Sequence, residues 1–177
     1  MEKICSITGH RPNKFHFKNN ENHIDCIRLK YLLIEQIIKL YLDGNKIFLT
    51  GCAIGVDIWL GEIILNLREK YDDIKLYCII PFENQMERWN DNYKFRYDNL
   101  LNNCTAKIIL QKDFTKDCYL KRNKFLVDKC TTLVGIYNGI DKHSGTYSTL
   151  NYALKENKNI IYINSNSFEV TEVRKYI

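Results

Sequence analysis

The amino-acid sequence predicts an α/β fold: a single doubly wound domain over residues 1–177, with a mostly parallel sheet of about six strands and helices on both faces. Three observations predict it. Six short runs rich in Ile, Val, Leu and Tyr recur along the chain. Most are near-continuously apolar rather than alternating, as expected of strands covered on both faces. Segments of helical period separate them, and strands alternating with helices imply right-handed βαβ units.

In chain order, strands are predicted at 3–8, 46–50, 75–80, 106–110, 132–137 and 159–163. Between the first two, Ile24, Ile27, Tyr31, Ile34, Ile38 and Tyr41 recur at helical spacing, and Asp43-Gly44 closes that helix. Val56, Trp59, Ile63 and Leu67 form a second apolar stripe, and Met86, Trp89, Tyr93, Tyr97 and Leu100 a third. Residues 117–130 and 146–157 read as two further helices. No linker or compositional break divides the chain.

Composition agrees with a packed core. Hydrophobic residues make up 45% and charged residues 27% of the 177, which excludes a disordered chain. Only 8 Gly and 2 Pro are present, which excludes collagen-like or linker-rich organisation. The 7 cysteines include no Cys-x-x-Cys pair, and several sit in apolar runs where a thiol behaves as a small hydrophobe. No export signal opens the sequence, and no apolar stretch approaches the roughly 18 residues of a membrane span. A reduced, cytoplasmic protein is expected.

The scarce glycines and prolines concentrate after strands. Gly9 and Pro12 follow the first strand, Gly51 and Gly55 the second, Pro81 the third and Gly139 the fifth. In a doubly wound sheet that edge is where ligands bind. Thr50-Gly51-Cys52-Ala53-Ile54-Gly55-Val56-Asp57 runs from strand into helix and offers backbone N–H groups at a helix start, suited to a phosphate. It lacks the Gly-Lys-Ser/Thr of a Walker A loop and the Gly-x-Gly-x-x-Gly of a dinucleotide fingerprint. Asp57 is read either as a helix cap or as a ribose contact. Thr8-Gly9-His10-Arg11-Pro12 adds a hydroxyl, an imidazole and a permanently charged guanidinium. Ser144-Gly145-Thr146 opens the last helix as a second phosphate cradle. Arg122 and Asn123 are kept as further contacts, Trp89 as a stacking surface, and Cys52 as a nucleophile without an evident base. His10, His16 and His23 lack a fourth partner at suitable spacing, so no metal site is expected.

The net charge of +5 is unevenly placed. Within 107–129, seven basic residues face three acidic ones, centred near Arg122. A local positive field of that size suits a small anion.

Thr8-Gly9-His10-Arg11-Pro12, Thr50-Gly51-x-x-x-Gly55-x-Asp57 and Pro81-Phe-x-x-Gln-x-x-x-Trp89 together resemble the YpsA-like branch of the SLOG superfamily. These are Rossmann-like domains similar to the Lonely Guy phosphoribohydrolases and to the DNA-processing protein Smf/DprA. The resemblance covers nearly the whole chain. It implies a pocket for a nucleotide-derived ligand, in a superfamily that includes enzymes and sensors of NAD-derived signals, many in bacterial and phage conflict systems. Lonely Guy enzymes carry Pro-Gly-Gly-x-Gly-Thr followed by an essential Glu. Here residues 142–149 read Lys-His-Ser-Gly-Thr-Tyr-Ser-Thr, with Tyr147, Ser148 and Thr149 where the Glu belongs. Arg122 matches the Arg of those enzymes, so a phosphate grip persists where the carboxylate does not.

The expected function is capture of a nucleotide or NAD/ADP-ribose-derived molecule, as a sensor or a sequestering protein, in the host cytoplasm where phage-encoded. Gly51, Gly55, Ser144 and Thr146 would hold phosphates, with Gly145 between the last two also in the expected site, Arg11 and Arg122 would neutralise them, and Asp57 would meet a ribose. Thr8, Gly9, His10, Cys52, Trp89 and Asn123 complete the expected site. The alternative is an N-glycoside hydrolase using Asp57, and single-strand DNA binding ranks third. The sequence thus sets an expectation of a small phosphorylated ligand, no cofactor, a homodimer as one option, and against nucleic acid as a partner.

Overall fold

The computed structural model describes residues 2–174. Seven strands form one sheet: β1 (Ile4–Gly9), β2 (Ile47–Thr50), β3 (Lys75–Ile80), β4 (Ala106–Ile109), β5 (Thr132–Tyr137), β6 (Asn159–Asn164) and β7 (Val170–Val173). Their spatial order is β4-β3-β2-β1-β5-β6-β7. All neighbours are parallel except β6 and β7. The Rossmann-like α/β reading therefore holds, with one addition. The seventh strand, Val170-Thr-Glu-Val173, is short, half polar and largely exposed, so it offers no apolar run to read.

Helices α1 (Ile24–Leu42), α2 (Val56–Leu67) and α3 (Asp91–Asn103) contribute to the main core on one face. On the other face, α4 (Cys118–Lys129) and α5 (Gly145–Lys155) close two smaller clusters. This division follows from handedness. Three right-handed crossovers carry the chain from β1 outward to β4 over one face, and the return to β5 and on to β6 runs over the other. Strand order reverses between β1 and β5, so a crevice opens above their carboxyl ends.

Local chemistry sets the helix starts. His23 caps α1, its ring accepting from the Asp25 N–H, and Asn90 caps α3 by accepting from the Tyr93 N–H. The third helix therefore begins five residues after Met86, and Met86 and Trp89 lie in the turns before it. Gly55 caps α2 at φ +101, a region L side chains rarely adopt, and a Cβ there would also meet the His10 carbonyl oxygen at 2.8 Å.

One polar clamp ties this face together. Arg96 on α3 grips Glu62 on α2 at 2.6 and 2.8 Å and Glu21, ahead of α1, at 2.7 and 3.2 Å. Burial alone would raise the Glu21 carboxyl, but hydrogen bonds from Arg96 and Lys30 reverse this and bring its pKa to about 2. A depressed carboxylate pKa contributes stability that is present above the unfolded value of 4.5 and is lost as pH falls through about 2. Glu21→Gln is expected to cost about 2 kcal/mol at pH 7. In urea denaturation that deficit should shrink steadily as pH drops below 4.5; a deficit independent of pH would contradict the assignment.

Candidate nucleotide site

The carboxyl ends of β1 and β5 lie side by side, with Thr8 opposite Gly135 and Gly9 opposite Ile136. The loops that follow them, together with the start of α2 and the side of α4, enclose a cavity of about 400 Å³. This volume is within the usual range for small-molecule sites. Ten residues singled out in the sequence line it: Thr8, Gly9, His10 and Arg11 from the first loop, Asp57 from α2, Arg122 and Asn123 from α4, and Ser144, Gly145 and Thr146 from the last.

At its floor Arg122 and Asp57 form a buried ion pair, Nη1 to Oδ2 at 2.9 Å, with side chains only 6% and 7% exposed. The same carboxylate oxygen accepts from the Ala53 N–H at 3.3 Å. Burial raises the Asp57 pKa, while Arg122, the Ala53 N–H and Arg11 act in the opposite direction. Gly51 explains how the guanidinium fits: a Cβ on Gly51 would lie 1.3 Å from Arg122 Nη1. The glycine of the second loop thus seats the protein's own cation rather than lining the cavity.

Polar atoms around this floor remain unpartnered. Arg122 Nε and His10 Nε2 are buried without a hydrogen-bond partner. Burial lowers the His10 pKa, with the Asn138 side chain and the Asp141 carboxylate opposing. Ser144 caps α5, its Oγ accepting from the Tyr147 N–H at 3.2 Å. The N–H groups of Gly145 and Thr146 fall in the first turn of α5, where no helical acceptor exists. Open amides, the positive end of a helix and two guanidinium groups converge on one cavity, which suits an oxyanion such as phosphate.

The structure also brings in residues the sequence reading missed. Tyr119 stands at the mouth, with the Arg11 guanidinium 5.5 Å from its ring centre. Lys14, from the first loop, pairs with Asp141 of the last at 2.8 Å and ties the two walls together. Both were hidden because their roles depend on loop closure across the sheet. Four expected residues lie elsewhere. Gly51 supports Arg122, and Gly55 turns the chain into α2. Cys52 is fully buried and does not line the cavity. Trp89 packs edge-on against Tyr97 with ring centres 5.4 Å apart and faces a separate groove beside Ile54 and Tyr93. The aromatic ring at the cavity is Tyr119.

A family model described as the YspA SLOG family, under the name YpsA, matches residues 5–168. The chain belongs to the YpsA family of SLOG domains. Among its relatives, a UPF0398 protein of Bacillus pumilus is 29% identical over 160 residues, which cover 89% of this chain and 82% of the relative. A UPF0398 protein of Bacillus cereus is 26% identical over 139 residues, covering 77% and 74%. The solved structure of DNA processing protein A from Helicobacter pylori, described by its single-stranded DNA binding mode, superposes with a TM-score of 0.58 at 21% identity. It covers 91% of this chain, and this chain spans 65% of that one.

That neighbour corrects the expectation against nucleic acid as a partner. A protein built on this fold binds single-stranded DNA, so mild net charge gives no ground for setting nucleic acid aside. No helix among the described residues is long and apolar enough to cross a membrane.

The buried pair makes a stability prediction. Arg122→Ala leaves Asp57 uncompensated and is expected to cost about 3–5 kcal/mol in denaturant unfolding. The Asp57→Ala, Arg122→Ala double variant should cost less than the sum of the single changes by at least about 1 kcal/mol. Additive costs would show that the pair is not coupled.

Proposed function

We propose that this SLOG domain binds a phosphorylated nucleoside, with the phosphate at the α5 N-terminus and the base toward Tyr119. The observation that carries this reading is the set of unpartnered polar groups at the strand-order reversal: the first-turn amides of α5 and Arg122 Nε as donors, with His10 Nε2 beside them, flanked by Arg11. An ADP-ribose-type or other NAD-derived ligand is the finer form of the same reading, since it presents both phosphate and ribose.

Binding rather than cleavage is favoured by the state of Asp57. Glycoside hydrolysis needs a carboxyl group free to donate a proton or to attack. Asp57 is held by Arg122 and the Ala53 N–H, and residues 147–149 supply no carboxylate.

A second reading, single-stranded nucleic acid, is favoured by a specific groove. Between α4 and α5 lies a cleft of about 360 Å³ lined by Lys124, Lys142, Lys155, Tyr147 and Tyr152. It shares Asn123 with the cavity between the β1 and β5 loops. Cations interleaved with aromatic rings are what a flexible strand needs once its first phosphate is anchored.

Calorimetry with AMP, ADP-ribose, NAD and cyclic ADP-ribose derivatives tests the first reading. At least one is expected to bind, and Arg11→Ala should weaken it about tenfold. No heat with any of them would overturn the reading. Mobility assays with short oligodeoxynucleotides test the second. There, Lys124→Ala combined with Lys155→Ala should lower oligonucleotide affinity and leave AMP binding unchanged. The log affinity should also fall with log salt at about −0.7 per phosphate neutralised. Absence of binding at low salt would dismiss it.

A further inference from the structure

His16, His23 and Asp25 lie away from the nucleotide cavity, at the start of α1. Each offers a ligand atom, and the three atoms fall within 4.8 Å of one another. His16 Nε2 is 2.8 Å from Asp25 Oδ2, and His23 Nδ1 is 3.6 Å from the same oxygen. Around a tetrahedral zinc ion, with bonds of about 2.0–2.2 Å, ligand atoms sit roughly 3.4 Å apart. The observed separations straddle that value. We propose that His16, His23 and Asp25 bind one divalent transition-metal ion of the zinc type, with the fourth position open to water.

Local packing prepares the two imidazoles. Phe17, which is buried, stacks on His23 with ring centres 5.8 Å apart and meets His16 edge-on at 5.2 Å. Phe17 is itself stacked on Phe15, and Phe15 on Trp59, so the imidazoles rest on a rigid aromatic column. The Asp25 carboxylate is open to a cation. Among the described residues its partners are the two imidazoles, and the nearby basic residues are engaged elsewhere: Lys30 with Glu21, and Arg28 over the Phe168 ring. Two imidazoles and a carboxylate suit zinc and its neighbours in the first transition row, whereas magnesium prefers oxygen ligands and keeps its water.

The exchange balances in protons. In the metal-free protein the His16–Asp25 hydrogen bond places a proton between Nε2 and Oδ2. Coordination through Nε2 moves that imidazole proton to Nδ1, leaving the ring neutral. At His23, the metal bond replaces the 3.2 Å hydrogen bond that Nδ1 accepts from the Asp25 N–H. The sequence reading set metal aside because His10, His16 and His23 lack a fourth partner at suitable spacing. Asp25, brought up by the first turn of α1, supplies the third ligand, and His10 belongs to the other site. An ion here would fasten the segment that leads from Arg11 and Lys14 into α1, and so fix one wall of the nucleotide cavity.

Untagged, chelator-stripped protein should bind zinc at one ion per chain in calorimetry and should not bind magnesium. Zinc at about 100 times its dissociation constant should raise Tm by roughly 5–10 °C. Cobalt substitution should give a tetrahedral visible spectrum without a thiolate charge-transfer band, which separates this site from the seven cysteines. His16→Gln and Asp25→Asn should each weaken zinc binding at least tenfold while keeping the metal-free Tm. Unchanged affinity in both variants, a thiolate band in the wild type, or no zinc binding would overturn the proposal.

Discussion

The Asp57–Arg122 ion pair is the constraint on which the rest of the site depends. It joins α2 on one face of the sheet to α4 on the other, passing over the end of β2 where Gly51 leaves room. Two charges this deeply buried are costly unless each is satisfied. Asp57 is satisfied by Arg122 and Ala53, but Arg122 keeps its Nε unused. The pair therefore positions a guanidinium with one unpartnered N–H at the floor of the crevice. Its remaining hydrogen-bonding capacity points to a ligand rather than to the protein's own core.

Around that floor the topology does the placing. β1 and β5 are neighbours in space because the chain reverses direction after β4, and their loops diverge toward opposite faces. The crevice between them receives the N-terminus of α5 from one loop and the Arg11 segment from the other. The Lys14–Asp141 pair holds these walls at a fixed distance, although both side chains are partly solvated and the pair contributes little stability of its own. Its value is geometric.

Much of this was legible in the sequence, and the limits have physical causes. The five inner strands announced themselves because strands covered on both faces must be apolar; β4, an exposed edge strand, still carries Ile108-Ile109, whereas β7 at the opposite edge is half polar and offers no such run. The loops after β1 and β5 were legible because hydroxyls, glycine and a guanidinium directly after a strand have few structural uses. The second loop was harder. A glycine that makes room for a phosphate and one that makes room for the protein's own guanidinium look alike in sequence. Only the pairing of positions 57 and 122 separates them. Trp89 has the residue type for base stacking, but its turn directs it to Tyr97. Tyr119 reaches the cavity because the first turn of α4 overlooks it. The His16–His23–Asp25 cluster escaped for a related reason: Asp25 is an ordinary first-turn acid until the preceding loop folds back and sets His16 against it.

The two functional readings share their first step and part at the second. In both, a phosphate meets the open amides of α5 beside Arg122. A mononucleotide or ADP-ribose is then complete within the cavity, with Tyr119 under the base and Arg11 over the mouth. A polynucleotide must continue, and two clefts adjoin the cavity through shared residues: the α4–α5 groove, at Asn123, and the shallow groove at Trp89, at Arg11 and Asn13. The first presents Lys124, Lys142 and Lys155; the second presents Arg11 and Arg88. Backbone phosphates need successive cations rather than a single pocket, so any strand bound here should run along α4 and α5. On these readings the cavity and the groove are separable in chemistry: one would take the end of a molecule, the other its continuation. Substitutions in the groove alone distinguish a ligand that stops at Asn123 from one that passes it.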